Sequence, residues 1–400
     1  MPLNPKIREL EEKLKEVVGE KYVSTKQFVL AAYSRDVSPE PPKRPDIVVK
    51  PCSTEEVSEI VKLANKYLIP VVPTGGRSSM CGSSIPQRGG ILLDLTRMNK
   101  VLEVNEEDLF VHVQCGITWG ALIHELKKRG YRLGFRGPYS GHSATVGGSI
   151  SSNSIGYGSA RWGQAPECLN GLVVVLPTGE IVYTGSAAQI YSRGFNRYNM
   201  GPDFTGLFCG DHGTLGVKTE AFIKIMPLPA ATKHLTYGFE DIRNAVCFFR
   251  EVQRSGVVDD IVLIGEPSTM EYIVEGFTEM FPNLEAVVIV IIEAQSEEIA
   301  KSRTKYVDSL AEKSKAKSLG ALFANIHWTS GMFEDIHPFF QLGMWTPECH
   351  VLATSDLLES IISFKKFHSR VTSKLGLKPL IAAMANGLSN VSFLAHVYFK

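Results

Sequence analysis

The 400-residue sequence carries 42 Lys and Arg residues against 42 Asp and Glu residues, so its formal net charge is zero. Such a balance argues against a non-specific nucleic-acid binder, which ordinarily carries a basic surplus. A hydrophobic share of 44% is enough to build sizeable cores, and about 150 residues per domain predicts two or three domains.

The chain opens with a predicted amphipathic helix over residues 6–18, in which Ile7, Leu10, Leu14 and Val17 share one face. A short strand, "DIVVKP", follows the prolines between positions 39 and 45. Residues 52–70 then predict a second helix, because Ser53 and Glu56 have the spacing of a capping box. "PVVP" is a strand, and the three elements together resemble a βαβ unit.

The middle of the chain alternates apolar strands with glycine-rich segments. "GGILLDLT" and "DLFVHVQCG" are predicted strands, and residues 118–130 are a predicted helix. A glycine-rich stretch from Gly134 to Gly163 follows. "NGLVVVLPTGEIVYTG" predicts a hairpin around residues 177–179, and a further strand ends at the prolines near Pro229.

After Pro229 glycine becomes rarer and longer helices alternate with strands. We therefore place a domain boundary near residues 229–235 and expect two parts, 1–229 and 230–400. The second part is predicted to hold helices near 241–254, 269–277, 297–314 and 356–374, and strands at 258–264, 286–292 and 391–399.

The sequence predicts a cytoplasmic protein, with peripheral attachment to a membrane left open. The longest apolar run, residues 286–292, is far shorter than the ~20 residues of a membrane helix, and the charged N-terminus is unlike a signal peptide. The seven scattered cysteines contain no CxxC pair, so we expect reduced thiols and no bound metal.

Glycine carries the main functional signal, because 25 of the 35 glycines lie between residues 71 and 220. The loop "PVVPTGGRSSMCGSS" (70–84) follows a strand, and bare backbone amides in such a loop can hold a pyrophosphate. It matches neither a Walker A loop nor GxGxxG. Taken alone, this segment is equally consistent with a tight turn between strands.

Two further segments follow in order: "GPYSGHSATVGGSISSNSIGYGSARWGQAPECLNGLVVVLPTGEI" (137–181) and "TGLFCGDHGTLGVKTEAFIKIMPLP" (205–229). With the loop at 70–84 they resemble the vanillyl-alcohol-oxidase-type (PCMH-type) FAD-binding domain. The resemblance covers about residues 20–229. It is greatest to the FAD-linked D-2-hydroxy-acid dehydrogenases (D-lactate, glycolate, D-2-hydroxyglutarate), followed by the alkyl-dihydroxyacetone-phosphate synthases.

The resemblance implies an α+β protein in which residues 1–229 form a two-lobed FAD-binding domain. Residues 230–400 would form a cap domain, an antiparallel sheet with helices on one face. The family normally continues past the strand that ends here at Phe399, so we expect a cap that lacks the family's C-terminal segment.

The resemblance also implies non-covalent FAD, since the loop at 74–84 contains no histidine for covalent attachment. Carried over position by position, the expected cofactor-binding residues lie in the first loop, in the second segment and on the last strand. They are Pro73, Thr74, Gly75, Gly76, Arg77, Ser78, Ser79, Gly82, Pro138, Ser140, Gly141, Ala144, Thr145, Gly147, Gly148, Ser151, Ser152, Asn153 and Val217.

Three departures from the family pattern are visible. His212 stands where "EGTLG" has a carboxylate, and either approaches the cofactor or only supports the turn. Ile155 replaces a glycine of "NAGG". The C-terminal half lacks HxGDGNxH, which supplies metal ligands in the hydroxy-acid dehydrogenases; the corresponding stretch, 381–400, keeps one histidine, His396.

Histidine suits the general base of such a reaction, because its ordinary pKa of ~6.5 lies near working pH, and arginine suits a substrate carboxylate. By resemblance, His396 is the candidate general base, and a histidine on the solvent face of the sheet is the alternative. His350 is the second candidate catalytic residue: it and Glu348 lie at the predicted start of a cap strand, where one of them would meet substrate, and ordinary loop polarity is the alternative. His142, Arg136 and Arg161 flank the flavin segment, where ordinary surface contacts are equally consistent with their positions.

The implied function is an FAD-linked oxidase or dehydrogenase that acts on the CH–OH group of a D-2-hydroxy acid such as D-lactate or glycolate. Hydride would pass to flavin N5, and electrons would go on to a quinone, cytochrome or protein acceptor. An alkyl-glycerone-phosphate-synthase-like flavoenzyme and a non-catalytic FAD-binding subunit of a larger oxidase remain as alternatives. The oligomeric state, including a homo-oligomer or a partner subunit, stays open.

Overall fold

The computed structural model describes residues 5–199, 201–272, 274–329, 332–333, 344–345, 349–376 and 378–399. The backbone divides into two units. The first unit comprises Met1–Leu133, His142–Ser154 and Ala165–Met226. The second comprises Gly134–Gly141, Ile155–Gln164 and Pro227–Lys400, so two short segments of the glycine-rich stretch belong with the C-terminal half.

The first unit begins with a sheet in the order β1-β2-β4-β3, in which β4 runs parallel to both β2 and β3. The predicted βαβ unit is thus confirmed, with α3 between β2 and β3. The side chain of Ser53 accepts a hydrogen bond from the Glu56 amide at the start of α3, as the capping-box spacing predicts. The elements are α1 (Pro5–Val18), β1 (Val23–Ser24), α2 (Gln27–Ala32), β2 (Ile47–Val49), α3 (Thr54–Tyr67), β3 (Val71–Thr74) and β4 (Ile91–Asp94).

A second, antiparallel sheet in the order β5-β6-β10-β8-β9 completes the first unit. Strand β8 is buried along its whole length, and β8 and β9 form the predicted hairpin. The elements in chain order are β5 (Val101–Asn105), β6 (Phe110–Gln114), α4 (Trp119–Lys128), β7 (Tyr131–Arg132), α5 (Val146–Ser151), α6 (Ser159–Trp162), β8 (Leu169–Val175), β9 (Ile181–Tyr183), α7 (Phe204–Leu207), β10 (Val217–Lys224) and β11 (Met226–Pro227). Of these, α6 belongs to the second unit.

The second unit contains an antiparallel sheet in the order β15-β12-β14-β13-β18-β19-β16, and β17 also pairs with β19. An antiparallel sheet with helices was the expected architecture of this half. The elements are β12 (Ala231–Phe239), α8 (Ile242–Ser255), β13 (Asp260–Ile264), α9 (Phe277–Met280), β14 (Ala286–Ala294), α10 (Glu297–Lys313), β15 (Lys317–Gly320), α11 (Leu322–Trp328), β16 (Met344–Trp345), β17 (Cys349–Ala353), α12 (Leu357–Phe367), β18 (Lys378–Asn386) and β19 (Asn390–Phe399).

The two faces of this sheet differ in chemistry because successive strand residues point to opposite sides. On one face Val288, Val290 and Ile292 of β14 join the apolar core that also includes Phe248 and Phe249 of α8. The other face of the same strand carries Ile289, Ile291 and Glu293. Burial of a charged residue in a central strand requires partners, and these define a polar cluster described below.

The structure differs from the predicted elements at two helices of the second unit. The helix predicted over 356–374 is α12 (Leu357–Phe367), followed by a π-helical turn over 368–372 and a 3-10 turn over 373–375. Residues 267–272 form a 3-10 turn, followed by the short helix α9, where a single helix over 269–277 was predicted. The carboxylate of Glu271 accepts hydrogen bonds from the amides of Gly276 and Thr278, which redirects the chain. Within the described residues, no helix combines the length and apolarity needed to cross a bilayer.

Candidate functional site

The glycine loop (residues 74–84) follows β3 and packs against residues 143–145 of the same unit. A Cβ added at Gly75 would lie 2.2 Å from the Thr145 hydroxyl oxygen, and one added at Gly76 would lie 1.5 Å from the carbonyl oxygen of Ser143. Only glycine permits this approach. Thr74 is 4% exposed, and its buried hydroxyl lacks a hydrogen-bond partner.

The segment that faces the glycine loop is fixed by its own backbone contacts. Thr145 caps α5 by accepting a hydrogen bond from the Gly148 amide at 3.3 Å. The Gly147 amide donates to the Cys115 carbonyl at 2.8 Å, and a Cβ at Gly147 would lie 2.8 Å from Cys115 Cβ. The two predicted glycine-rich segments therefore pack directly against each other, and we call them together the cradle.

A third segment, which we call the clasp turn (residues 209–216), forms hydrogen-bond contacts with both glycine-rich segments. Its His212 amide donates to the Ser151 carbonyl at 2.9 Å, next to the end of α5. The Ser83 hydroxyl of the glycine loop lies 3.1 Å from Nδ1 of His212. Asp211 forms a buried ion pair with Lys218 on β10, so the turn is anchored to the sheet as well. Parts of all three motifs found in the sequence thus meet in the first unit.

An open cavity of about 790 Å³ lies beside this cradle, within the roughly 300–1,000 Å³ range of ligand sites. Gly76, Ser143 and Thr145 line one end of it. The remaining lining includes the cationic or titratable side chains Lys100, His124 and Arg129 together with Glu103 and Glu125. A cavity that touches bare loop backbone and carries cations suits a nucleotide with phosphate groups.

The other predicted cofactor residues have varied surroundings. Arg77, at φ 54°, donates to the Ala32 carbonyl at 2.6 Å, and its guanidinium lies 4.2 Å from the centre of the Tyr33 ring. Asn153 adopts φ 49°. Val217 opens β10 and is buried. The remaining first-unit residues of the set are Pro73, Ser78, Ser79, Gly82, Ala144, Ser151 and Ser152. Pro138, Ser140 and Gly141 belong to the second unit.

A buried polar cluster lies on the face of the second-unit sheet that is opposite the apolar core. His234 of β12 and Asp260 of β13 both pair with Ile291 of β14, and residues directly opposite one another share a face. Glu293 follows two positions after Ile291 and lies on the same face. Asp260 and Glu293 are 1% and 5% exposed.

Glu293 is held by a cation and an indole. Its Oε1 accepts a hydrogen bond of 3.0 Å from Trp328 Nε1 and lies 3.7 Å from an Arg136 nitrogen. The Arg136 guanidinium lies 4.4 Å from the centre of the Trp328 ring. A planar cation between a carboxylate and an aromatic face is a fixed donor fork of the kind that binds carboxylates in two-point contact.

Two histidines complete the cluster. His327 Nε2 lies 3.5 Å from Asp260 Oδ2. The Nε2 of His234 is buried and has no hydrogen-bond partner. Burial lowers the pKa of His234; Glu293 opposes that shift and the positive charge of Arg136 adds to it. The net effect favours a neutral imidazole at neutral pH, which can accept a proton.

The histidines singled out from the sequence lie elsewhere. His350 is exposed on β17 and pairs with Phe393 of β19. His396 lies on β19 opposite Leu380 of β18, and Glu348 lies outside the described residues. Across the described part of the chain, no three His, Cys, Asp or Glu side chains come together as a metal site.

His234, Asp260 and Glu293 were not found from the sequence. The signal was present, because Asp260 interrupts the apolar run "VVDDIVLIG" and Glu293 ends "AVVIVIIEA". A carboxylate within a continuous apolar strand must be buried and therefore paired. Arg136 and Arg161 were singled out, and each contacts a buried carboxylate: Glu293 for Arg136, and Asp259 at 3.3 Å for Arg161.

Comparison with known families agrees with the cradle. Residues 45–185 match the family model of an FAD binding domain. The chain is 30% identical over 266 residues to the glycolate oxidase subunit GlcD of Bacillus subtilis (strain 168), covering 66% of this chain and 53% of that protein. It is 34% identical over 204 residues to a D-lactate dehydrogenase of Anaerostipes hadrus, covering 51% of this chain and 41% of the relative. The chain thus spans about half the length of these relatives.

Solved structures show the same fold. An alkyldihydroxyacetonephosphate synthase superposes with a TM-score of 0.80 at 21% identity, covering 100% of this chain and 76% of that chain. A p-cresol methylhydroxylase with substrate bound superposes with a TM-score of 0.85 at 18% identity, covering 98% and 83%. At these identities the likeness establishes the fold alone.

Residues 45–185 match an FAD binding domain and the chain shares its fold with p-cresol methylhydroxylase, so the resemblance found in the sequence is confirmed. These residues belong to the FAD binding domain family, and the chain is a homologue of FAD-linked glycolate oxidase and D-lactate dehydrogenase sequences. The unpartnered Thr74 hydroxyl and the cavity beside Gly76 fit this cofactor.

Proposed function

We propose that this protein is an FAD-dependent oxidoreductase that oxidises a D-2-hydroxy acid of the D-lactate or glycolate class to the 2-oxo acid. The observation that carries the proposal is the glycine cradle at Thr74–Gly76, matched to an FAD binding domain in homologues named glycolate oxidase and D-lactate dehydrogenase. Bound FAD would supply the acceptor of the hydride that leaves C2.

The polar cluster of the second unit supports this class of substrate. We assign Arg136 to the substrate carboxylate, because its guanidinium is held in a fixed plane by Trp328 and Glu293. We assign His234 to the hydroxyl proton, because its Nε2 is buried, without a partner and disposed to stay neutral. Loss of that proton and of hydride from C2 leaves the 2-oxo acid and reduced cofactor, so electrons and protons balance.

The first experiment is a visible absorption spectrum of the purified chain with FAD, followed by anaerobic addition of D-lactate, glycolate and D-2-hydroxyglutarate. Bleaching of the flavin band by one of them, and not by the L-enantiomer of a chiral substrate, supports the proposal. Acid precipitation that releases all flavin into the supernatant supports the expectation of non-covalent FAD. Flavin that stays oxidised with every hydroxy acid refutes hydroxy-acid oxidation by this chain. That result would favour an alkyl-glycerone-phosphate-synthase-like flavoenzyme or a non-catalytic FAD-binding subunit.

Variants separate the roles within the cluster. We expect Arg136→Lys to raise KM for the hydroxy acid by roughly tenfold or more, since a lysine loses two-point contact with the carboxylate. We expect His234→Gln to lower the reduction rate by roughly 10²-fold or more at unchanged FAD affinity. His368→Gln, on a remote helical turn of the same unit, is the matched control.

The histidines expected from the family resemblance are tested in the same assay. If His396→Gln or His350→Gln abolishes flavin reduction while His234→Gln leaves the rate intact, the assignment of the base to His234 is wrong. If all three variants reduce flavin normally, the cluster is structural and the base lies elsewhere.

A further inference from the structure

A hydrogen-bonded chain of side chains connects the clasp turn to the glycine loop. His212 Nδ1 lies 3.1 Å from the Ser83 hydroxyl, which lies 3.3 Å from the Ser79 hydroxyl. Ser79 in turn accepts a hydrogen bond from the Cys81 amide at 3.2 Å. The ring of His212 is therefore coupled to the loop whose residues are expected to hold the pyrophosphate of FAD.

The backbone conformation and contacts of His212 hold its side chain beside Ser83. The residue adopts φ 50°, in the left-handed region that side-chain-bearing residues rarely occupy. Its amide is tied to Ser151, and the following Gly213 is so close to Pro73 that a Cβ there would lie 2.9 Å from the proline ring. The turn is pinned on both sides, so the imidazole has a defined position beside Ser83.

A hydrogen on His212 Nδ1, or its absence, sets the direction of this chain. With neutral Nδ1 as the acceptor, Ser83 donates to His212 and Ser79 donates to Ser83, so the hydroxyl proton of Ser79 points back along the chain. With a hydrogen on Nδ1, in the imidazolium or in the neutral Nδ1–H tautomer, Nδ1 donates to Ser83 and Ser83 donates to Ser79. The hydroxyl proton of Ser79 is then directed outwards and can be donated to an anionic oxygen. Of the two Nδ1–H forms, only the imidazolium also carries a positive charge.

The charges around His212 come from its own turn, the glycine loop and the segment before β2. Asp211 is paired with Lys218 on β10, so that pair is neutral as a whole. Asp36 accepts from the Ser84 amide at 3.4 Å, and Glu40 packs where a Cβ on Gly82 would lie. The further ionisable groups of the loop are the Cys81 thiol and Arg77, whose guanidinium is engaged by Ala32 and Tyr33. Helix α5, which ends at Ser151, contains no ionisable residue.

We propose that protonated His212 binds the pyrophosphate of FAD through Ser83 and Ser79, so that FAD binding takes up a proton. This step depends on FAD binding and not on the hydroxy-acid chemistry. An imidazolium that reverses the serine chain adds both a positive charge and a donor towards the phosphates. Bound pyrophosphate favours the charged ring in return, which links the two equilibria.

The test is calorimetric titration of the apoprotein with FAD at pH 7 in buffers of different ionisation enthalpy. We expect uptake of a substantial fraction of one proton per FAD. We also expect the dissociation constant to rise between pH 6 and pH 8.5, by at most about tenfold per pH unit, which is the limit for one linked proton. Absence of proton uptake by the natural sequence overturns the proposal.

His212→Asn is the decisive variant, because asparagine tolerates the left-handed backbone of this position better than other substitutes. We expect it to bind FAD more weakly at pH 6, with little remaining proton uptake, while Ser83→Ala keeps part of the uptake through the ring charge alone. His368→Gln should match the natural sequence. Proton uptake that survives in His212→Asn assigns the proton to another group and refutes the role of His212. This titration does not measure flavin reduction by a hydroxy acid, so failure of this proposal is distinct from failure of the proposed function.

Discussion

The ion pair between Asp211 and Lys218 gives the sharpest prediction about the cradle. Both side chains are 2% exposed, and the Asp211 carboxylate also accepts hydrogen bonds from the amides of Gly213 at 3.0 Å and Leu215 at 3.2 Å. Burial lowers the pKa of Lys218, although Asp211 opposes that shift. Substitution Asp211→Asn would leave the ammonium buried without its counter-charge and would weaken the clasp turn.

Breaking such a pair from one side typically costs about 3–5 kcal/mol, because the remaining charge stays desolvated. At about 2–4 °C per kcal/mol for a unit of 150–250 residues, we expect the midpoint of thermal unfolding to fall by roughly 6–20 °C. The assay is scanning calorimetry of the full chain with and without FAD. FAD should recover part of the loss, since a ligand that binds only the folded state stabilises it.

Two further variants test the reasoning. The double variant Asp211→Asn/Lys218→Met removes the stranded charge and should unfold at a higher temperature than Asp211→Asn alone. The control Glu12→Gln breaks an exposed pair with Lys15 at 2.8 Å and should change the midpoint little. If Asp211→Asn unfolds no earlier than Glu12→Gln, the buried pair does not anchor the clasp turn as argued.

Three further outcomes are expected. Gly76→Ala should abolish FAD binding or folding, because its Cβ would lie 1.5 Å from a carbonyl oxygen; an alanine variant that retains normal FAD affinity would contradict the packing of the loop. Burial raises the pKa of Glu220, but hydrogen bonds, chiefly from His112, bring it below the ordinary 4.5. Its contribution to stability is therefore complete above pH 4.5 and lost as pH falls, so calorimetry of Glu220→Gln should show a shallower acid loss. Mass spectrometry after brief alkylation should find the exposed Cys81 and Cys247 labelled, with FAD protecting Cys81 alone.

The FAD domain could be predicted from the sequence because its chemistry depends on backbone positions. Glycine is required at positions 75, 76 and 147 because neighbouring atoms lie too close for a Cβ, so the residue type itself indicates the close contact. Helix α3 could be predicted equally well, because the nearby residues Ser53 and Glu56 indicate where it starts. Features that depend on local sequence, such as caps, turns and bare amides, were therefore accessible without a structure.

Strands of the second unit were harder to predict because distant neighbours define them. Strand β12 alternates polar and apolar residues, but Thr236 on its polar side is 1% exposed, so both faces are buried and the pattern looks ambiguous. Strand β18 contains the run "IAAMA", which has high helix propensity. It forms a strand because β13 and β19 flank it on both sides. Local propensity was overridden by pairing that the sequence does not display.

Two buried carboxylates of the second unit, Asp259 and Glu293, differ in what they contact, and this difference separates a structural role from a functional one. Asp259 accepts the amide of Glu293 at 2.7 Å and pairs with Arg161, so its role is to fix the edge between β13 and β14. Glu293 instead directs its side chain to Trp328 and Arg136. Because a buried ion pair contributes little net stability, the Arg136 pair needs another reason to be present. Carboxylate binding is such a reason. It predicts that the double variant Arg136→Met/Glu293→Gln, which leaves no stranded charge, weakens substrate binding far more than it lowers the unfolding temperature.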